Sequence, residues 1–265
     1  IILGDRFEAL SAAYAALLSK IPVAHIHGGE ITEGAYDDAI RHSITKMSHL
    51  HFTSTEEYRR RVIQLGEDPE YVMNVGAISL DNMEHLRLLD KQELENKIPF
   101  VFGGKSILVT YHPATLDDAT PEEQIANLLA VLAEYEDYRI LFTLPNSDTG
   151  GHIIKRYIEE FVSSHEDRAV SITSLGYLNY LSALKYVSMV VGNSSSGIIE
   201  APQFDKPIIN IGDRQKGRIK ADSIIDCGID KESIRGAIMK GISRSENGTF
   251  NDPNPYYRPD TAVNI

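Results

Sequence analysis

Short apolar runs alternate with amphipathic stretches along most of the chain. The apolar runs that predict buried strands are residues 23–26, 106–110, 139–143, 187–191 and 207–210. Between two of them, residues 121–134 repeat isoleucine and leucine at the i, i+3, i+4, i+7 spacing of one helix face. Strands separated by helices in this way predict βαβ units and an α/β fold with a mainly parallel sheet.

Two helix starts are predicted from polar residues that can cap a first turn. Thr120 precedes Pro121, which suits the first helical position, and Glu123 stands where a capping box requires an acid. Ser54 and Glu57 have the same spacing ahead of a second helical stretch. We therefore expect Thr120 and Ser54 to be N-cap residues.

A change in composition near residue 95 indicates a domain boundary. Residues 91–97 are highly charged, and two glycines at 103–104 precede the first strand of the second half. We predict two Rossmann-like domains with doubly wound parallel sheets, residues 1–95 and 96–265, the second with a closing tail. Because the sequence begins inside an apolar run, the first domain is expected to be incomplete.

Composition narrows the partners that this chain is expected to bind. The 265 residues are 42% hydrophobic and 24% charged, the balance of a soluble globular protein. A formal net charge of −12 argues against broad binding to nucleic acids or membrane surfaces, because both are polyanionic. Cys227 is the only cysteine, so no intrachain disulfide can form, which fits a reducing, cytoplasmic compartment. No apolar run approaches the roughly 18 residues that span a bilayer.

Acidic and basic side chains follow three successive predicted elements of the first half. Asp5 follows the opening apolar run, and His27 and Glu30 follow the next. Asp37 and Arg41 lie in the first turns of the helix after it. Strand ends of a parallel sheet face one crevice, where carboxylates can exchange protons with a substrate and arginine can hold an anion. The pattern predicts proton-transfer chemistry on an anionic small molecule.

Simpler interpretations of these residues stay open. Asp37 and Asp38 are also favoured at a helix N-terminus by the helix dipole, with Arg41 as their partner one turn later. The spacing of His25 and His27 also occurs among metal ligands. Such metal sites are common in complete (β/α)₈ barrels, whereas this chain has a two-domain pattern. We expect His25 to pack within the sheet, His27 to lie at the edge of the crevice, and no metal to be bound.

The second half contains three polar turns, each after a predicted strand. Residues 192–197 lead from a strand into a helix, and such a turn presents N–H groups and hydroxyls that suit phosphate. His112 follows another strand, and residues 145–151, which include Asn146, follow a third. Each feature alone is commonly a helix cap or a structural histidine. Three at one sheet edge favour a ligand site.

Four motifs together resemble the hydrolysing UDP-N-acetylglucosamine 2-epimerases of sialic or legionaminic acid synthesis. They are Gly-Asp-Arg-Phe at 4–7, Gly-Gly-Glu at 28–30, Asp-Asp-x-Ile-Arg-His-x-Ile-Thr-Lys at 37–46 and Gly-Asn-Ser-Ser-Ser-Gly-Ile-x-Glu-Ala at 192–201. The resemblance implies the two-domain GT-B architecture, a UDP-sugar substrate, UDP as a product, and a homodimer or homotetramer. It also implies about 100 residues before Ile1, the size of an ordinary domain. It implies no metal or other cofactor.

The resemblance also implies a mechanism and roles for individual residues. Family members remove the C2 proton while UDP leaves C1, which gives a 2-acetamidoglucal, and water addition then releases a free 2-epimer such as N-acetylmannosamine. Asp5 and Asp37 match the catalytic acids, and Arg41 matches a residue needed beside them. The positions assigned to UDP-sugar binding are Arg6, His112, Asn146, Ser194, Ser195, Ser196, Gly197 and, for the ribose, Glu200.

Position 27 departs from the family pattern. Some relatives have a catalytic glutamate where this chain has His27, and the segment between Glu30 and Asp37 is one residue longer. Either His27 or Glu30 is expected to take over the proton transfer, since an imidazole can also shuttle protons near neutral pH. The alternative functions are a non-hydrolysing 2-epimerase, a GT-B glycosyltransferase or nucleotide-sugar binder, and a metal-dependent hydrolase.

Overall fold

The chain folds into two compact units, each built on a parallel sheet. The computed structural model describes residues 1–33, 37–114, 119–145, 150–246 and 253–265. The first unit comprises Ile1–His85, Lys216–Ile219 and Pro253–Ile265, and the second comprises the rest of the described chain. No helix in these described ranges is long and apolar enough to cross a membrane.

The first unit has a four-stranded parallel sheet in which the spatial order of the strands equals their chain order. Its elements are β1 (Ile2–Leu3), α1 (Phe7–Leu18), β2 (Ala24–Ile26), α2 (Asp37–Lys46), β3 (Leu50–Thr53), α3 (Glu56–Gln64), a 3-10 turn (Pro69–Tyr71), β4 (Val72–Asn74), α4 (Ile78–His85) and a C-terminal helix (Thr261–Asn264). Because a helix joins each strand to the next, the carboxyl ends of β1, β2 and β3 lie side by side at one edge.

The second unit has a six-stranded parallel sheet in the order β10-β9-β8-β5-β6-β7. Its elements are α5 (Lys91–Glu95), β5 (Ser106–Thr110), α6 (Pro121–Ala133), β6 (Arg139–Thr143), α7 (Gly151–Ser164), β7 (Ala169–Ile172), α8 (Gly176–Tyr186), β8 (Met189–Gly192), α9 (Ser195–Ile199), a 3-10 turn (Ala201–Phe204), β9 (Ile208–Ile211), β10 (Ile224–Cys227) and α10 (Lys231–Glu246). The order reverses between β5 and β8, and a doubly wound sheet opens its ligand crevice at such a point.

The α/β fold and the five predicted strands are confirmed, with strand ends within two residues of the predicted ones. The cap at Thr120 is also confirmed, since its Oγ1 accepts from the Glu123 N–H at 3.2 Å. The prediction that Ser54 is an N-cap is wrong. Thr55 caps α3, and the Ser54 hydroxyl donates instead to the buried carboxylate of Glu30 at 2.9 Å.

The observed units differ from the predicted segments at residues 86–95, at residues 216–219 and in the C-terminal tail. Residues 86–95 lie in the second unit, where the Leu89 N–H donates to Ser182 Oγ at 3.0 Å. The C-terminal tail lies in the first unit, where Thr261 Oγ1 donates to the Val75 carbonyl at 2.7 Å. Hydrogen bonds between residues far apart in the chain hold residues 86–95 and the C-terminal tail in these units. Local composition does not encode such contacts.

The last residue of β8 must be glycine for β8 to pair with β5. Gly192 has a φ of +143°, and a Cβ there would lie 1.9 Å from the Thr110 carbonyl oxygen. We expect Gly192→Ala to lower the free energy of unfolding by about 3 kcal/mol or more, at the upper end of overpacking effects. Urea unfolding measures the change.

Gly236→Ala is the matched control for that substitution. Gly236 lies inside α10, and an added Cβ there meets nothing within 4 Å. This variant should be stabilised by about 0.5–1 kcal/mol, because alanine loses less conformational entropy in a helix. Similar effects from the two substitutions would contradict the steric account.

Candidate active site

A buried guanidinium joins the strand-end turns of the first unit. The side chain of Arg41 is 1% exposed, and it forms an ion pair with the carboxylate of Asp5. It also donates to the Glu30 carbonyl oxygen at 2.7 Å, to Thr32 Oγ1 at 2.9 Å and to Asp38 Oδ1 at 2.7 Å. The side chain of Asp5 is 25% exposed. One cation therefore fixes three segments and leaves a carboxylate partly open to solvent.

On its own helix Arg41 pairs with Asp38, at i, i+3. Asp38 Oδ1 accepts from Arg41 and also from the Thr32 N–H at 2.6 Å. Asp37 is the first residue of α2. Asp38 thereby ties Thr32 to helix α2 through Arg41 and through its own hydrogen bond.

Glu30 is a buried carboxylate with three partners. Its side chain is 3% exposed, and Oε2 lies 2.6 Å from the guanidinium of Arg218. Oε1 lies 2.9 Å from Ser54 Oγ and 2.8 Å from His27 Nδ1. Burial would raise the pKa of Glu30, but Arg218 and the hydrogen bond from His27 outweigh it and hold that pKa far below its usual range. Glu30 is therefore an anion at any working pH.

His27 has a strained backbone and one uncommitted ring nitrogen. Its φ of +66° lies in the left-handed region, which costs a non-glycine residue of order 1–3 kcal/mol and is concentrated at functional sites. Nδ1 contacts Glu30, whereas the buried Nε2 has no hydrogen-bond partner in the part of the chain that the structure describes.

His25 packs within the sheet, as expected. Its Nε2 donates to the Gly4 carbonyl oxygen at 2.9 Å, and its Nδ1 lies 3.1 Å from Thr45 Oγ1. Burial lowers the pKa of His25 to about 4, so the ring is neutral near pH 7. His25 thereby links the turn that carries Asp5 to helix α2.

Two strand-end turns of the second unit are joined by a pair of hydrogen bonds. Buried Asn193, after β8, accepts from the His112 N–H at 2.7 Å and donates to the His112 carbonyl at 2.8 Å. Arg214 and Gln215 donate to the Asn193 carbonyl at 3.1 and 2.9 Å. These turns follow β5 and β8, the strands between which the sheet order reverses. Asn193 thus holds together the loops that border the expected crevice.

A cavity of about 410 Å³ opens at this edge of the second sheet. Hydroxyl, aromatic and aliphatic side chains line it together with one carboxylate: Thr110, His112, Thr143, Leu144, Thr173, Ser174, Leu175, Gly176, Tyr177, Tyr180, Leu181, Ser194, Ser196 and Glu200. Burial raises the pKa of Tyr177 and of Tyr180 to about 12, so both phenols stay protonated. The volume lies within the range of small-molecule sites.

Four of the predicted binding residues line this cavity, namely His112, Ser194, Ser196 and Glu200. Ser195 and Gly197 lie in α9, which Ser194 caps by accepting from the Ser196 N–H at 3.3 Å. Arg6 lies in the first unit, where it pairs with Glu8 at 3.2 Å. Asn146 lies outside the described residues.

Several residues that shape the two sites are not predicted by the sequence pattern. Arg218 and Ser54 bind Glu30, and Asn193 joins two turns. Asn193 lies within the motif at residues 192–201, so the sequence did mark its position as part of a candidate site. Arg218 lies in the charged segment 213–220, which carries no distinctive pattern. Among the described residues, no group of three or more His, Cys, Asp or Glu side chains is placed to hold a metal ion.

Comparison with known proteins gives consistent matches. The family profile described as UDP-N-acetylglucosamine 2-epimerase matches residues 1–265. The chain is 42% identical over 269 residues to the polysialic acid biosynthesis protein P7 of Escherichia coli, covering 99% of this chain and 67% of that protein. It is 43% identical over 230 residues to the GDP/UDP-N,N'-diacetylbacillosamine 2-epimerase (hydrolyzing) of Campylobacter jejuni, covering 87% of this chain and 60% of that protein.

The fold is shared with solved structures at lower sequence identity. The UDP-GlcNAc 2-epimerase of Neisseria meningitidis bound to UDP-GlcNAc matches with a TM-score of 0.80 and 18% identity, covering 99% of this chain and 73% of that one. The two parallel-sheet units are those of the GT-B fold. The chain spans 67% of the length of the Escherichia coli relative and 60% of that of the Campylobacter relative.

Glu30→Gln is expected to make the free energy of unfolding depend less steeply on pH at acidic pH. The native pKa of Glu30 is depressed, so its stabilising contribution is complete above the unfolded pKa of about 4.3 and declines as the pH falls towards the native value. Below about pH 4.3 this group should remove up to about 1.4 kcal/mol of unfolding free energy per pH unit. Urea unfolding from about pH 7 to about pH 3 measures the slope for each protein.

The control is Glu8→Gln, which removes an exposed carboxylate that pairs with Arg6. Its stability should follow the wild-type slope closely, because solvent screens an exposed pair. If Glu30→Gln also keeps the wild-type slope below about pH 4.3, Glu30 is not held as a buried anion.

Proposed function

Because the chain belongs to the UDP-N-acetylglucosamine 2-epimerase family, we propose that it acts as a hydrolysing 2-epimerase on a UDP-2-acetamido sugar. A base takes the C2 proton while the bond from C1 to UDP breaks, and the C2–H electron pair becomes the C1–C2 double bond of a 2-acetamidoglucal. Water then adds its oxygen to C1, and a proton enters C2 from the opposite face. The products are UDP and the free 2-epimer, such as N-acetylmannosamine.

The observation that carries this proposal is the cluster around Arg41 in the first unit. Asp5 is held by Arg41 yet remains partly exposed, and His27 presents a buried ring nitrogen without a partner in the described chain. Removal of the C2 proton as UDP leaves C1 needs groups of this kind within reach of the substrate. Asp37, at the start of the same helix as Arg41, is the second acid that we assign to the reaction.

The second unit is suited to hold the UDP part of the substrate. We assign the diphosphate to His112 and to the Ser194, Ser195, Ser196 and Gly197 turn. Such a turn offers hydroxyls and N–H groups to an anion. Glu200 would accept from the ribose hydroxyls, and Tyr177 would contact the base. The cavity beside them is large enough for a nucleoside.

The names of the relatives support a hydrolysing reaction and suggest two candidate sugar substrates. The Campylobacter relative and a Legionella pneumophila relative at 36% identity are both named as hydrolysing diacetylbacillosamine 2-epimerases. A Neisseria meningitidis relative at 34% identity is named as a UDP-N-acetylglucosamine 2-epimerase. We take UDP-N-acetylglucosamine or its 2,4-diacetamido counterpart as substrate, in a cytoplasmic homo-oligomer.

The reaction in D₂O tests the proposal directly. We expect release of UDP together with a free sugar that carries one deuterium at C2. Each of the two nucleotide sugars is tested as substrate, and NMR and mass spectrometry of the product detect the deuterium. Free sugar without deuterium would exclude proton abstraction at C2. Deuterium in recovered UDP-sugar, with no free sugar, would assign the chain to the non-hydrolysing branch.

Substitutions should separate the chemistry from nucleotide binding. Asp37→Asn is expected to lower kcat by about 10²–10⁴-fold, the range for loss of an acid–base group, while the Kd for UDP changes little. The double substitution Ser195→Ala with His112→Ala should weaken UDP binding by about 10-fold or more, because hydrogen bonds to a charged ligand are lost. Calorimetry measures the UDP affinity of both variants, and the rate of UDP release from substrate measures kcat. Equal losses of UDP affinity in the two variants would contradict this division.

A further inference from the structure

Three side chains of the first unit form a buried line from a cation to a free ring nitrogen. Arg218 lies 2.6 Å from Glu30 Oε2, and Glu30 Oε1 lies 2.8 Å from His27 Nδ1. The side chains of Arg218 and His27 are 7% and 13% exposed. The line ends at His27 Nε2, which is buried and has no hydrogen-bond partner among the described residues.

The charge of Glu30 fixes which nitrogen of His27 carries a proton. An ionised carboxylate only accepts hydrogen bonds, so His27 Nδ1 must be the donor in this contact. A neutral ring protonated at Nδ1 has its lone pair at Nε2. Glu30 itself receives Ser54, His27 and the charge of Arg218, and it therefore has little capacity to accept a proton from a substrate.

The segment that carries Arg218 is anchored by a directed chain of hydroxyls. The Ile219 N–H donates to Tyr58 OH at 3.0 Å, and Tyr256 OH donates to the Ile219 carbonyl at 2.9 Å. The two phenol oxygens lie 2.9 Å apart, so Tyr58 donates to Tyr256. Burial raises the pKa of both phenols, which keeps their protons in place. The residue after Arg218 is thus held by two buried, hydrogen-bonded phenols.

We propose that Arg218 and Glu30 are positioning residues that hold His27 in its Nδ1–H tautomer, and that His27 Nε2 takes the proton from C2 of the substrate. The C2–H electron pair forms the C1–C2 double bond as UDP leaves with the electrons of the C1–O bond. The proton on Nε2 later returns to solvent. The role at C2 rests on the proposed function, whereas the tautomer does not.

Nitrogen NMR of the whole chain labelled with ¹⁵N-histidine tests the tautomer without any assay of activity. His27→Asn assigns the His27 signals by their loss. With a neutral ring, His27 should show a protonated Nδ1 and an unprotonated Nε2. A neutral ring protonated at Nε2 would overturn the proposal. The expected tautomer without epimerase activity on the nucleotide-sugar panel would leave the positioning intact and would reject the role at C2.

Two substitutions of His27 separate its nitrogens. The amide nitrogen of His27→Asn occupies the place of Nδ1, can still donate to Glu30 and tolerates a left-handed backbone, but nothing replaces Nε2. His27→Glu restores a proton carrier at the same position. We expect His27→Asn to fold, bind UDP and lose at least about 100-fold in C2 deuterium exchange, with partial recovery in His27→Glu. Full exchange in His27→Asn would overturn the assignment.

Substitution of Arg218 tests the positioning role through the pH profile. Without that charge the pKa of Glu30 should rise, so that its protonation releases the Nδ1 contact at a higher pH. We expect the acid limb of kcat/KM to shift upwards in Arg218→Gln and to return towards wild type in Arg218→Lys. A uniform loss at every pH would indicate a structural role only. If Arg218→Gln does not fold, Arg218→Lys with the tautomer measurement decides the question.

Discussion

The ion pair between Glu30 and Arg218 is the interaction on which the first unit's site depends. Withdrawing a carboxylate from water costs several kcal/mol, and that cost is offset only when every lone pair finds a donor or a cation. Ser54, His27 and Arg218 supply them. Because Ser54 and Arg218 are distant from Glu30 in the chain and His27 is three residues before it, these contacts fix tertiary structure and ring orientation together.

The two units hold their strand-end turns together with different kinds of contact. Both are parallel sheets whose strand-end turns must be held at one edge, and loops at that edge have no ladder partners of their own. In the first unit buried charges bridge the turns, through Arg41 and through Glu30. In the second unit neutral amide contacts do so, through Asn193 and His112. Buried ion pairs thus hold the turns where proton transfer is proposed, and amide contacts hold the turns where an anion is proposed to bind.

Local pattern was enough for five of the strands and for helix α6. The strands and helix α6 followed from apolar spacing and capping, because these signals act between near neighbours in the chain. The partners of the site did not follow. Ser54 has the sequence of a helix cap but serves a carboxylate, and Arg218 reaches Glu30 only through the fold. The proposed choice of His27 over Glu30 depends on their surroundings, since burial and a nearby guanidinium decide which group remains charged.

A double-mutant cycle on Glu30 and Arg218 measures the central interaction most directly. The cycle compares the unfolding free energies of Glu30→Gln, Arg218→Met and the double variant with that of the wild type. Each single change leaves a buried group without its partner and should cost about 3–5 kcal/mol, whereas the double change removes both charges. The account predicts a coupling energy of about 2 kcal/mol or more. Effects that add to within about 0.5 kcal/mol would contradict it.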